Sequence, residues 1–197
     1  MKVKAVLLVA FAFVAMSVNG QELKFGLKGG LNFSNFGGDD NDNVNKTKIG
    51  FHVGGFAQYG LTENLALQPE LLLSFEGSKA DNDDKTPFSN TYLNIPVMLN
   101  YKLGAVQGLY FEGGLQLGFL LGAKIDGESE FDTGFGTFKV KDSYKSTNFS
   151  LNLGAGYAIT ENISAGLRYS MGLSSIADDS DANLKQNNFQ LSLAYKF

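Results

Sequence analysis

The chain has 197 residues, enough for one domain, and its 16 Lys plus Arg against 20 Asp plus Glu give a net charge of −4. Scattered basic residues exclude a nucleic-acid footprint. The absence of Cys excludes a disulfide framework, a thiolate metal site and a cysteine nucleophile, and a single His excludes a multi-His zinc centre.

Residues 1–20 read as a secretory signal peptide. Lys2 and Lys4 form a positive start, Ala5 to Met16 is an uninterrupted apolar run, and Val18-Asn19-Gly20 offers small residues for cleavage. That run is too short for a membrane-spanning helix, which needs about 20 residues. Residues 21–197 are expected to form the mature domain, and losing two lysines takes its net charge to −6.

From Glu22 onward the dominant period is two, the period of a strand. Eight segments show it. The first sets Phe25, Leu27, Leu31 and Phe33 against Lys24, Lys28 and Asn32, and the second sets Phe51, Val53, Ala57 and Tyr59 against Lys48, His52 and Gln58. The third opposes Leu67, Leu71, Leu73 and Phe75 to Gln68, Glu70 and Glu76, and the fourth opposes Leu93, Ile95, Val97, Leu99 and Tyr101 to Asn94, Asn100 and Lys102. The fifth carries Phe111, Leu115, Leu117, Phe119 and Leu121 opposite Tyr110, Glu112, Gln116 and Lys124. The last three set Phe149, Leu151 and Tyr157 against Asn148 and Asn152, then Leu167, Tyr169 and Met171 against Arg168 and Ser170, then Phe189, Leu191, Leu193, Tyr195 and Phe197 against Gln190, Ser192 and Lys196. Turns at 60–64, 104–108 and 160–162 are short, and connections at 34–47, 77–91, 125–146 and 174–187 are long. An even number of strands with alternating short and long connections predicts an all-β, eight-stranded antiparallel up-and-down transmembrane β-barrel, with both termini on the short-turn side.

The apolar face of these segments holds no charge. The other face holds ten: Lys24, Lys28, Lys48, Glu70, Glu76, Lys102, Glu112, Lys124, Arg168 and Lys196. Two aromatic rims decide that the apolar face is turned outward to lipid. Tyr59, Tyr101, Tyr157 and Tyr195 close even-numbered segments at the short-turn end, while Phe51, Phe149 and Phe189 open three of them at the other. Phe197 ends the chain. From Phe51 to Tyr59 is eight residues, which at roughly 3.3 Å each and about 40° of tilt covers about 20 Å, close to the apolar band of about 25 Å of such barrels. The expected interfacial girdle is therefore Phe51, Tyr59, Tyr101, Phe149, Tyr157, Phe189, Tyr195 and Phe197.

The inward charges require partners, since an unpaired buried charge costs several kcal/mol. Lys28, Glu70, Lys102, Glu112 and Arg168 are expected to form an interior polar network, with Lys102 and Glu112 pairing across the 104–108 turn. His52 is the one candidate for a Ser–His–carboxylate relay. Its parity is inward and the sequence offers no obvious serine at matched depth, so no catalytic site is expected. The clusters Asp39-Asp40-Asn41-Asp42, Asp81-Asn82-Asp83-Asp84 and Asp178-Asp179-Ser180-Asp181 lack the ligand spacing and closing Glu of a calcium loop and read as solvated outer loops. No cofactor or metal site is expected. Pro69 and Pro96 each remove a ladder hydrogen bond and predict a bulge or a locally unbonded site nearby.

Leu-Lys-Phe-Gly-Leu-Lys-Gly-Gly-Leu-Asn at 23–32, Pro69-Glu70-Leu71, Tyr92-Leu93-Asn94-Ile95-Pro96, Gly154-Ala155-Gly156-Tyr157, Arg168-Tyr169-Ser170 and the closing Tyr195-Lys196-Phe197 complete the pattern. With these the mature chain resembles the small outer-membrane β-barrel family, labelled the porin family or PorT-like. The resemblance implies a cell outer-membrane location with periplasmic termini, membrane lipid as surroundings, and assembly machinery that reads the terminal aromatic signal. It implies no single shared activity. The leading expectation is a monomeric, non-enzymatic scaffold whose outward loops mediate surface contact or adhesion. Alternatives are a narrow, gated solute channel and a soluble periplasmic lipid-binding barrel with its apolar face inward.

Overall fold

The computed structural model describes residues 23–37, 46–80, 86–132, 137–177 and 184–197. The signal segment 1–20 and the three acidic clusters fall outside these residues.

Alternation of side chains across a pleated backbone produces the barrel directly. Its strands are β1 (Leu23–Gly37), β2 (Lys46–Gly60), β3 (Leu65–Lys79), β4 (Pro87–Lys102), β5 (Leu109–Ile125), β8 (Thr147–Ala158), β9 (Ile163–Gly172) and β10 (Lys185–Lys196). Each is antiparallel to its neighbours, and β1 closes the ring against β10, with Leu31 opposite Leu191. The long connection after β5 adds two short strands, β6 (Glu130–Asp132) and β7 (Thr137–Lys139), and one 3₁₀ turn, Val140–Ser143.

The inside-out distribution is plain in the exposures. Leu27, Val53, Leu71, Leu115, Leu153 and Leu193 stand 46–62% exposed on the outer surface, whereas Asn32, Ser74, Asn94, Asn152, Arg168 and Gln190 are at 1% or less. Polar side chains are buried and apolar ones exposed, the reverse of a barrel carrying an apolar ligand in water. Such a surface is stable only in hydrocarbon. The soluble lipid-carrier reading is thus excluded by the direction in which the strands turn their leucines.

Two short turns share one construction. In Leu61-Thr62-Glu63-Asn64-Leu65 and in Ile159-Thr160-Glu161-Asn162-Ile163, the threonine Oγ1 accepts the amide of the residue three positions on, at 3.0 and 2.9 Å. The amide that opens each turn donates to the carbonyl of the residue that closes it, at 2.8 Å in both. The repeated Thr-Glu-Asn triplet is the local signal for this geometry.

The strands run further at the long-loop end than the apolar segments alone suggest. β1 continues past Phe33 to Gly37, β3 past Phe75 to Lys79, and β4 begins at Pro87. Backbone pairing needs no apolar face, so hairpins persist beyond the lipid-facing band. A register shift between Thr91 and Tyr92 sets Tyr92 opposite Leu120 and Thr91 opposite Gly122, making Leu121 the extra residue of a bulge. Beyond it parity reverses. Ala123 is buried and Lys124 is exposed, which corrects the inward placement of Lys124.

The prolines produce no register shift. β3–β4 pairing lapses for residues 70–71 against 95–96, and β2–β3 pairing lapses for 57–58 against 68–69, with the same register resuming on each far side. The ladder thus skips the missing donors without a bulge.

Candidate functional site

The geometry of the interior is organised by Arg168, on β9, with 1% of its surface exposed. Its guanidinium meets two carboxylates at once. Nη1 and Nη2 donate to Glu70 Oε2 and Oε1, both at 2.8 Å, while Nε and Nη2 donate to Glu112 Oε1 and Oε2 at 2.7 and 3.0 Å. Lys28 adds a 3.3 Å ion pair to Glu70 Oε1, and Gln68 Nε2 donates to the same oxygen at 2.8 Å. Two cations therefore face two anions, and the plug is charge-neutral. Gln58 and Asn100 extend it by donating to Gln68 Oε1 at 2.9 and 2.8 Å. The residues come from β1, β2, β3, β4, β5 and β9, so the network ties most of the wall together across the lumen.

Lys102 lies outside this plug. The β4–β5 register places Lys102 opposite Tyr110 and Asn100 opposite Glu112, and Lys102 is exposed at the short-turn mouth. The expected Lys102–Glu112 pair is therefore replaced by Arg168–Glu112. A turn fixes which residues are opposite, and here it sets them one inward position apart.

Below the plug, towards the short-turn end, a cavity of about 640 Å³ opens outward, with Lys24, Lys102 and Lys196 around it and Lys28, Glu112 and Arg168 at its floor. Tyr110 leans over it, and its ring occupies the space above Gly156, where any Cβ would overlap it.

Above the plug His52, 1% exposed, is held between two neighbours. Asn32 Nδ2 shares its two hydrogens among Phe51 O, Ser74 Oγ and Phe75 O, at 3.0, 2.9 and 3.1 Å, which leaves its Oδ1 to accept from His52 Nδ1 at 2.8 Å. The other ring nitrogen, Nε2, then accepts from the Ser192 hydroxyl at 3.0 Å. A serine at matched depth does exist, contrary to the expectation from sequence. It lies on β10, which closes onto β1 only in the folded barrel. The three side chains are buried and brace β2 and β10 against β1.

Among the described residues, the long-loop end carries an apolar cap. Tyr92, Leu120, Ala123 and Val140 form a buried cluster against which Ile125 and Tyr144 pack. Phe36 lies 6.2 Å from the Phe88 ring and 6.4 Å from Tyr144. Ile176 is fully buried, and its backbone joins Leu184 and Lys145. Burial under this cap pushes the Tyr144 phenol up to about 12. The cap is not legible in the sequence because its members lie in long connections, on the polar parity like Phe36, Tyr92 and Leu120, or past the Leu121 bulge like Ala123.

On the outer surface, Tyr59, Tyr101, Tyr157 and Tyr195 each sit opposite a large aliphatic residue, Leu23, Leu65, Leu109 and Ile163 respectively. At the other end Phe51 stacks on Phe75 at 4.4 Å, and Phe189 lies 6.4 Å from Phe33. Phe149 is 39% exposed, and Phe197, 68% exposed, meets Tyr195 edge-on at 5.5 Å.

A closed antiparallel barrel with an apolar exterior and a charged, packed interior defines an integral outer-membrane β-barrel. A family model described as the outer membrane protein beta-barrel domain matches residues 5–197, and the chain belongs to that family. Among solved structures it is similar to Neisserial surface protein A, with a TM-score of 0.55 at 14% identity over 88% of this chain and 97% of that one. It is also similar to Ail, the attachment invasion locus protein of Yersinia pestis, with a TM-score of 0.54 at 15% identity over 89% and 99%. A further Ail structure, in complex with the heparin analogue sucrose octasulfate, aligns with a TM-score of 0.52 at 15% identity over 89% and 99%. At these identities the likeness is one of fold. No curated protein matches the chain by sequence.

Proposed function

We propose that this protein is a non-enzymatic, monomeric scaffold in the outer membrane. In this reading its long-loop end makes surface contacts, its termini and short turns lie in the periplasm, and assembly machinery reads the terminal Phe197. The observation that carries it is the closure of the lumen by Arg168 with Glu70, Glu112 and Lys28. Eight strands leave room for little beyond side chains, and here those side chains are mutually bonded across the bore.

Ail is described as an attachment invasion locus protein, and this chain shares its fold. The long connections here carry the three aspartate clusters, so a contact surface built from them would favour cationic partners over a sulfated polyanion. The test is twofold. Protein in planar bilayers should show no steady conductance. Nanodisc-embedded protein should be retained by a polylysine-coated surface but not by heparin, with retention lost when the aspartates of the three clusters become asparagine. Retention unchanged by those substitutions would remove the loops from the proposal.

A narrow gated channel is the second reading, favoured by the cavity of about 640 Å³ that reaches the plug from one side. Steady current in the unaltered protein that changes when Glu112 is neutralised would establish it.

A further inference from the structure

The second half of the barrel repeats the first. Phe51, Tyr59, Thr62, Glu63 and Asn64 recur 98 residues on as Phe149, Tyr157, Thr160, Glu161 and Asn162, and Leu99, Tyr101 and Lys102 recur as Leu193, Tyr195 and Lys196. Lys-Gly-Gly-Leu-Asn at 28–32 is matched by Glu-Gly-Gly-Leu-Gln at 112–116. Turn chemistry alone does not require this, because the short turn at 104–108 lacks the Thr-Glu-Asn triplet.

Strand pairing repeats with the sequence. Around the closed ring, β1, β2, β3 and β4 each stand four strands from β5, β8, β9 and β10 respectively, which is half a turn. Tyr59 lies opposite Leu67 as Tyr157 lies opposite Ala165, and Leu65 opposite Tyr101 as Ile163 opposite Tyr195. The junctions between the halves agree as well. Lys28 lies opposite Ala194, and its match Glu112 lies opposite Asn100, the match of Ala194. Lys102 N donates to Asn64 O at 2.8 Å, and Lys196 N donates to Asn162 O at 2.7 Å. The β1–β2 and β5–β8 pairings differ by a slide of two residues, which leaves every side chain on its face.

All four plug charges occupy matched positions, and at each match the sign is reversed: Lys28 corresponds to Glu112, and Glu70 to Arg168. Each half holds its own ion pair, Lys28–Glu70 at 3.3 Å and Arg168–Glu112 at 2.7 Å. The bond across the bore, Arg168 to Glu70 at 2.8 Å, joins a position to its own counterpart. A faithful repeat would set like charge against like at that point, at a cost no buried site absorbs cheaply. We propose that the barrel is two copies of one four-strand unit related by a pseudo-two-fold axis along the bore. Lys28, Glu70, Glu112 and Arg168 are the surface by which each unit recognises the charge-reversed other. The partner of this surface is the second unit of the same chain, whatever the outer loops contact.

The test reverses one unit at a time in the full chain without changing its net charge. Lys28→Glu with Glu70→Arg keeps an ion pair within the first unit but faces Arg168 with a second guanidinium. Glu112→Lys with Arg168→Glu does the same in the second unit and faces Glu70 with a second carboxylate. Both reversals together restore opposite charges across the axis. Urea midpoints of the heat-modifiable gel band in detergent complete the cycle. Each single reversal should lower the midpoint by about 1 M or more, or abolish the folded band, and the combined chain should lie above both. Phe56 stands opposite Glu70 where Gly154 stands opposite Arg168. The cycle is therefore repeated in a Phe56→Gly background, which gives residue 70 the room that Gly154 gives Arg168. Recovery in either background supports the assignment. A single reversal as stable as its parent, or a combined chain that fails to exceed both single reversals in both backgrounds, would overturn it.

Discussion

Arg168 holds both oxygens of Glu70 at 2.8 Å, joining side chains 98 residues apart in sequence and on opposite parts of the barrel wall. The same guanidinium grips Glu112. Its planar fork suits two carboxylates at once, which a lysine ammonium in its place could not match.

The two carboxylates are not equivalent. Glu70 is bonded by Arg168, Lys28 and Gln68, whereas Glu112 is bonded by Arg168. Glu70→Gln therefore leaves Lys28 without its anion as well as weakening Arg168, and should cost more stability than Glu112→Gln. Arg168→Ala, which strands two buried carboxylates, should cost at least the roughly 3–5 kcal/mol typical of breaking a buried pair. Urea titration of the folded gel band ranks the three variants. Equal midpoints for the two Gln variants would contradict the ranking.

Outward leucines should tolerate charge according to depth. Leu153 lies near the middle of β8 and is 56% exposed, whereas Tyr157 lies near its short-turn end. Leu153→Arg should destabilise the barrel in lipid by about 2–4 kcal/mol, and Tyr157→Arg by about 0–1 kcal/mol. Folding in phospholipid bilayers followed by urea titration measures both. A Leu153→Arg barrel as stable as the parent would mean that this face does not meet hydrocarbon.

Gly156 and Tyr110 form a size-complementary pair, since a Cβ at 156 would overlap the phenol ring. Gly156→Ala should destabilise by about 1–3 kcal/mol through overpacking. Adding Tyr110→Leu should recover part of that loss, because the branched aliphatic chain is shorter than the ring. A double-mutant cycle read by urea midpoint gives the coupling, and strict additivity would show that the two positions do not compete for space.

Phe197 is 68% exposed, and its backbone amide donates to Phe25 O at 2.9 Å, a bond that does not depend on its side chain. Phe197→Ala should thus leave the stability of the purified, folded barrel within about 1 kcal/mol of the parent. If the terminal aromatic is read during insertion, the same change should lower the amount of folded protein recovered from the outer membrane. Unchanged recovery would separate this terminus from assembly.

The alternation of residues along each strand was legible because it is a property of the covalent backbone. Leu27 and Lys28 must point to opposite faces whatever the rest of the chain does. That local rule was sufficient for eight strands and the outward face. It held until a bulge intervened, and at Leu121 the extra residue turned Lys124 outward by a shift no single strand encodes. Partner choice needed the closed ring. Glu112 bonds to Arg168 instead of Lys102 because the register sets Lys102 opposite Tyr110. His52 finds Ser192 because β10 returns to β1, 140 residues along the chain. The apolar cap of Phe36, Tyr92, Val140 and Ile176, and the packing of Asn94 and Asn148 against Gly118, belong to the same class. The sequence by itself determined which side of each strand meets lipid, since that depends on neighbours one and two residues away. Only the tertiary structure decided what meets what inside the barrel, since those distances are set by strand register and closure.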